Sequence, residues 1–210
     1  MSEHEVQRAE RADLCDTLAN AGPDAPTLCE GWTTMDLAAH LLVRERNPLA
    51  LPGIVTGGPF AAVTGQLMAR AARRGYEMVV DRLRTGPPPW NRVGPMSTVN
   101  LVEDFVHHED VRRAAGAEPR PPDPARDDAL WGGLANLARL QSRRVRGAGL
   151  DVVTPDGRRL TVRRGEPKAT LTGSPGELVL YLNGRTSAAH VELDGPPAAI
   201  EAVRTARFGV

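Results

Sequence analysis

Hydrophobic residues recur every three or four positions up to about residue 145, a period that is typical of amphipathic helices. Val6, Leu14 and Leu18 form one such stripe in the first predicted helix. Glycines and prolines separate the successive stripes, as they do between helices in folded proteins. The pattern predicts helices over 3–20, from Thr33 to a loop at 47–59, and over 60–83 with weak points at Gly65 and Gly75. After a further loop at 90–97, it predicts a helix that begins at about Asn100, or earlier at Ser97 or Thr98, and ends at a proline-rich connector at 118–124, and a last helix over 127–145.

After Gly147 the pattern changes to short stretches rich in β-branched residues. Residues 150–154 and 159–163 flank the turn-forming sequence at 155–157, which predicts a β-hairpin. The other predicted elements are a strand at 168–172, a helix from Ser174 to Asn183, a strand at 190–193 and a final helix over 196–207. We therefore predict an α+β protein with two domains, a helical bundle over 1–147 and a small α+β domain over 148–210.

His40 lies on the hydrophobic stripe of the second predicted helix, which Leu37, Leu41 and Arg44 share at helical spacing. A single inward-facing histidine is usually a core residue bonded to a backbone carbonyl, so a functional role for His40 requires partners. Asp36, one turn earlier, has two open interpretations. It could accept a hydrogen bond from the ring of His40, or it could stabilise the helix N-terminus together with Thr33.

The segment 100–110 (NLVEDFVHHED) offers those partners. In a helix, Glu103 and His107 share one face with Cβ atoms about 5–6 Å apart, which suits ligation of one divalent ion. Asp110 is placed either to steady the ring of His107 or to face solvent. His108 points about 100° away from His107, toward the surface or another helix. The alternative is a solvated acidic face with incidental histidines.

Together, His40, Glu103 and His107 form a set of two histidines and one glutamate from two helices. Three protein ligands leave one coordination position open, as in catalytic zinc sites. This donor set suits Zn²⁺, with Ni²⁺, Fe²⁺ and Mn²⁺ as alternatives. The sequence holds no HExxH, GxSxG, P-loop or GxGxxG motif.

Charge and composition limit the possible binding partners of the protein and the cellular compartment in which it is expected. Lys plus Arg and Asp plus Glu both total 26, so no excess positive charge attracts nucleic acid or an anionic membrane. No hydrophobic run approaches the ~20 residues of a membrane span, and the polar N-terminus lacks the core of a signal peptide. Cys15 and Cys29 have neither metal-ligand nor redox-motif spacing. We expect a cytoplasmic monomer or homodimer with reduced thiols.

Residues 30–41 have the sequence EGWTTMDLAAHL, and residues 103–110 have the sequence EDFVHHED. These two segments resemble the W-[ST]-x-x-[DE]-[LV]-x-A-H-[LV] motif and the E-x-x-x-H-x-x-D motif of the mycothiol-dependent maleylpyruvate isomerase family. Residues 180–185 (LYLNGR), followed by 191–195 (VELDG), are similar to its small C-terminal domain. The resemblance is strongest to an actinobacterial branch. The family belongs to the DinB-like superfamily of metal-binding four-helix bundles.

The resemblance implies a DinB-like four-helix bundle followed by a small α+β domain. It implies that His40, Glu103 and His107 bind a divalent metal ion, and that Arg185 is an active-site arginine. A charge that stabilises a helix C-terminus next to Gly184 is the alternative for Arg185.

The function that the resemblance implies is a thiol-dependent transferase or isomerase in which the metal activates mycothiol or another low-molecular-weight thiol. The second substrate would be a small electrophile that can carry an acidic group. Two alternatives stay open: a hydrolase in which the metal activates water, and a non-catalytic metal- or ligand-binding module.

Overall fold

The computed structural model describes residues 1–47, 61–88, 96–141 and 143–209. These residues form two compact units, Met1–Glu118 and Pro119–Val210. The predicted boundary at 147/148 therefore lies inside the second unit. The predicted loops at 47–59 and 90–97 lie largely outside the described residues.

The first unit is helical, as its hydrophobic periodicity predicts. Within its described residues the helices are α1 (Glu3–Ala21), α2 (Thr34–Arg46), α3 (Ala61–Ala72), α4 (Tyr76–Arg84) and α5 (Met96–Ala114). Helix α1 packs along α5, and α2 packs against both α3 and α4. The short helices α3 and α4 follow one another and share the fourth place of a four-helix bundle. The bundle fold is thereby confirmed.

Gly75 explains why the helix predicted over 60–83 is two helices. This residue precedes α4 with φ +91°, a conformation that is costly for residues with a Cβ atom. The chain leaves α3 at Ala72 and starts again at Tyr76. Gly65, the other predicted weak point, lies inside α3.

Thr33 and Asp36 set the start of α2. The Asp36 carboxylate accepts hydrogen bonds from the backbone N–H and the hydroxyl of Thr33, each at 3.0 Å, and Thr33 caps the helix in return. Of the two interpretations of Asp36, the structure shows the capping role. The cap determines where α2 begins and hence which face of the helix carries His40.

Helix α5 contains a long enclosed stretch. All residues over 104–111 are buried, although five of the eight are Asp, Glu or His, at 104 and 107–110. The solvated acidic face that the sequence also allowed is therefore wrong. Buried carboxylates need hydrogen-bonding or charged partners, and these partners define the site described below.

The second unit is a mixed α+β domain. Its described elements are α6 (Pro124–Gln141), β1 (Gly149–Val153), β2 (Arg159–Arg163), β3 (Lys168–Thr172), α7 (Pro175–Leu182), β4 (Glu192–Asp194) and α8 (Pro197–Arg204). The strands form one sheet in the order β2-β1-β3-β4. The predicted hairpin is confirmed as the antiparallel pair β1–β2, while β1 and β3 are parallel.

Helix α6 differs most from the sequence-based expectation. It was predicted to belong to the bundle, but it packs against α7 and β2 of the second unit. Among the described residues, no helix combines the length and the hydrophobicity that crossing a membrane requires.

Candidate metal centre

Helices α2 and α5 bring His40, Glu103 and His107 together. One potential ligand atom from each residue lies within 4.8 Å of the other two. His107 Nε2 is 3.6 Å from Glu103 Oε2, and the two imidazole rings meet edge to face at 5.4 Å. Ligand atoms around a tetrahedral ion with bonds of about 2.1 Å lie about 3.4 Å apart. The donor types and their spacing therefore fit a divalent ion after a small contraction.

The three side chains differ in their exposure to solvent. His40 and His107 are 9% and 8% exposed, whereas 32% of the Glu103 side chain is accessible. The cluster is therefore accessible to solvent on the Glu103 side. The Trp32 ring packs against His40, tilted by 57°, with a centroid distance of 5.0 Å.

Arg44 keeps Glu103 ionised. Its Nε lies 3.3 Å from Glu103 Oε2, and its Nη1 donates to Asn100 Oδ1 at 3.2 Å. Burial alone would raise the pKa of Glu103, but the Arg44 guanidinium and a hydrogen bond from His107 lower it to about 2. The sequence placed Arg44 one turn from His40 without giving it a role. A carboxylate ligand must be deprotonated, and the Arg44–Glu103 ion pair favours that form.

Asp110 orients the ring of His107. Its Oδ2 is 2.9 Å from His107 Nδ1, and the residue is completely buried. Burial alone would lower the pKa of His107, but hydrogen bonding to Asp110, with contributions from Cys29 and Glu103, raises that pKa well above its usual value. With Nδ1 held by Asp110, Nε2 faces Glu103. Of the two roles open for Asp110, the structure shows the orienting one.

Cys29 is the residue of this cluster that sequence reasoning missed. Its Sγ donates to Asp110 Oδ2 at 3.2 Å, across 81 positions of sequence. Among the described residues, Cys29, His107 and Asp110 form a second group whose ligand atoms lie within 4.8 Å of one another. Cysteine spacing carries no trace of this contact, because the partner is an aspartate on another helix.

His108 faces away from the cluster, as its place on the helix predicts. Its Nδ1 is 2.8 Å from Glu10 Oε1, and its Nε2 is 2.9 Å from Thr17 Oγ1. Both partners lie on α1. His108 thus joins α1 to α5, and its neighbour His107 faces α2.

Comparison with known proteins shows the family of this chain. Residues 4–172 match the family described as Mycothiol maleylpyruvate isomerase N-terminal domain. The chain belongs to this family. No curated protein gives a significant match.

Two solved structures share the fold of this family member. One is a crystal structure of the mycothiol-dependent maleylpyruvate isomerase, with a TM-score of 0.59 and 19% identity. The other is a histidine-to-alanine mutant of the mycothiol-dependent maleylpyruvate isomerase, with a TM-score of 0.61 and 20% identity. Each match covers 93% of this chain and 95% of that chain. The resemblance and the α+β fold are both confirmed.

Arg185 lies just after α7 in the second unit. Its guanidinium donates to the backbone carbonyl of Asn183 at 2.7 Å, and its backbone N–H donates to the carbonyl of Leu180 at 3.0 Å. The first of these bonds agrees with a charge that stabilises the end of a helix. The predicted catalytic role of Arg185 stays a prediction.

Replacing Asp110 with asparagine in this family member is expected to weaken metal binding about 10- to 100-fold. The amide loses the negative charge that holds His107 Nδ1–H. Competition with a metal chelator measures the change. Asp151→Asn is the matched control, because Asp151 is also buried but pairs with Arg159 and Lys168 in the second unit. An equal loss in both variants would contradict the role of Asp110.

Proposed function

We propose that the chain binds a divalent metal ion through His40, Glu103 and His107 and acts as a mycothiol-dependent transferase or isomerase. The observation that carries this proposal is the convergence of the three ligand atoms within 4.8 Å in the bundle of a chain that belongs to the family. Membership of the family supports mycothiol as the thiol, and the geometry supports the three residues as metal ligands.

The donor set favours Zn²⁺, and Ni²⁺, Fe²⁺ or Mn²⁺ would accept the same ligands. A free thiol with a pKa near the cysteine reference of about 8.5 is mostly protonated at neutral pH. The bound metal would supply the positive charge that favours the thiolate, which is the nucleophilic form.

The protein's own residues prepare this chemistry. Arg44 holds Glu103 in its ionised form, and Asp110 keeps Nε2 of His107 directed toward Glu103. Trp32 packs against His40. Because the two histidines are buried and Glu103 is partly accessible, we propose that the thiol approaches from the Glu103 side.

Adding mycothiol to the cobalt-substituted protein is expected to produce a sulfur-to-cobalt charge-transfer band in the near ultraviolet. The thiol would occupy the position that the three protein ligands leave open. Absorption spectroscopy on the same sample before and after addition is the measurement. An oxidised disulfide of the same thiol is the control, because it has no thiolate to offer.

Other outcomes of that titration separate the alternatives. If cobalt binds and mycothiol leaves the spectrum unchanged, thiol dependence fails and hydrolysis by activated water becomes the better account. If the protein takes up no cobalt, the metal site fails and a non-catalytic module remains.

We further propose that Arg185 binds a carboxylate of the electrophilic substrate. Guanidinium groups bind carboxylates through two parallel hydrogen bonds, which fixes both position and charge. This proposal draws on the place of Arg185 in the LYLNGR segment and gives the electrophile an acidic group.

Arg185→Ala is expected to weaken the binding of maleylpyruvate, used as an acidic probe, roughly 10- to 100-fold, since hydrogen bonds to charged groups contribute about 1.5–3 kcal/mol. Metal content should stay at the wild-type level. Calorimetric titration of the metal- and thiol-loaded protein measures the binding. Arg164→Ala, at an exposed arginine of the same unit, is the control. Loss of metal in Arg185→Ala would point to a structural role instead.

A further inference from the structure

We infer that Cys29 is a positioning residue, which acts through Asp110 to hold the ligand nitrogen of His107 in place. The inference rests on the proposed metal site. It adds Cys29, from the loop before α2, to a ligand set whose members all lie on helices.

The geometry places two donors on one oxygen. Asp110 Oδ2 is 3.2 Å from Cys29 Sγ and 2.9 Å from His107 Nδ1. A buried carboxylate is stable only where donors surround it, so each of these groups helps to fix the carboxylate. If the thiol is removed, Asp110 gains freedom to turn, and the ring of His107 turns with it.

The backbone holds Cys29 against α5. The N–H of Leu28 donates to the carbonyl of Asp110 at 3.1 Å, next to the thiol contact. Thr27 Oγ1 accepts from the Cys29 N–H at 3.2 Å and donates to the Trp32 carbonyl at 3.0 Å. The Trp32 N–H donates to the Cys29 carbonyl at 3.0 Å. These hydrogen bonds link the loop residues to one another and to α5, and they hold the backbone of Cys29 next to Asp110.

The same loop reaches both ligand histidines. At one end Cys29 contacts Asp110, which bonds to His107. At the other end Trp32 packs against His40 at 5.0 Å. The two ligands come from different helices, so a loop that contacts both fixes their separation.

Cys15 provides a matched comparison. It is completely buried in the hydrophobic core of the bundle, and burial raises the pKa of its thiol to about 12. Its replacement removes the same atom as replacement of Cys29, but without a metal-site hydrogen bond. A difference in metal affinity between the two variants therefore reports on the contact with Asp110.

The test compares Cys29→Ala, Cys29→Ser and Cys15→Ala by zinc competition with a chelator. Direct partners of ligand histidines contribute about 10- to 100-fold to affinity, and Cys29 contributes a weak thiol donor that bonds to Asp110. We expect Cys29→Ala to bind zinc about 3- to 10-fold more weakly. Cys29→Ser retains a donor and should stay within about twofold of wild type, and Cys15→Ala should match wild type once folded.

Three results would overturn the inference: wild-type affinity in Cys29→Ala, equal weakening in Cys29→Ala and Cys29→Ser, or a sulfur-to-cobalt band in the wild type without added thiol. The last would make Cys29 a metal ligand itself. Nitrogen-15 spectra of the metal-free protein keep the test independent of the proposed function. Loss of the Nδ1–H signal of His107 in Cys29→Ala, restored in Cys29→Ser, supports positioning even if no metal binds, and an unchanged signal contradicts it.

Discussion

Replacing His107 with glutamine is expected to reduce divalent-metal affinity by more than about 100-fold and to abolish any metal-dependent activity. His107 contacts the other two proposed ligands, at 3.6 Å from Glu103 and 5.4 Å between rings from His40. Loss of a ligand should exceed the 10- to 100-fold effect of losing an outer partner. Metal analysis by mass spectrometry after dialysis measures the stoichiometry.

His108→Gln is the control for this experiment. It changes the adjacent residue in the same way, but His108 bonds to Glu10 and Thr17 on α1. We expect near wild-type metal content in this variant, with some loss of thermal stability. If the two variants retain the same amount of metal, the proposed ligand set is wrong.

Replacing Arg11 with methionine is expected to lower the free energy of unfolding by about 3–5 kcal/mol. Arg11 is 3% exposed and forms ion pairs with Glu45 and with Asp104, the latter at 3.0 Å. Without the guanidinium, two buried carboxylates face each other uncompensated. Urea unfolding of the metal-free protein followed by circular dichroism measures the loss.

The same variant should show a characteristic pH dependence. In the wild type, burial and repulsion from Glu45 raise the pKa of Asp104 to about 7 despite the neighbouring Arg11. A carboxyl group with a raised folded-state pKa binds a proton that the unfolded chain has released, so its contribution to stability falls as pH rises through that pKa. Because Arg11 lowers the pKa of Asp104, its removal should raise that pKa further. The loss of stability in Arg11→Met should therefore be larger at about pH 8 than at about pH 5.5.

Arg84→Met is the control for Arg11→Met. Arg84 pairs with Asp16 at 2.8 Å, but both side chains are largely exposed to solvent. Exposed ion pairs contribute about 0–1 kcal/mol, so this variant should unfold nearly as the wild type does. A similar cost for both arginines would contradict the importance of the buried network.

The helical periodicity was sufficient to predict the parts of the site that depend on local geometry. Glu103 and His107 share a face because they are four residues apart, and His40 points inward because it lies on a hydrophobic stripe. His108 faces away from the cluster for the same reason. The fold class followed from the change in pattern near Gly147, together with the family motifs.

Contacts between distant segments were beyond the reach of periodicity. Cys29 meets Asp110 across 81 positions, and Arg11 meets Asp104 across 93. No local signal distinguishes these side chains from ordinary surface residues. The partnership of α6 with α7 and β2 was missed for a related reason, since a hydrophobic stripe shows that a helix is covered but not which element covers it.

The enclosure of α5 couples metal occupancy to the integrity of the bundle. Residues Asp104–Val111 are buried on every side, so His107 can move far only when the surrounding helices separate. An ion bound there would stabilise the native state in proportion to the logarithm of its free concentration. Starvation for that metal would thus act on the lifetime of the protein as well as on the proposed catalysis.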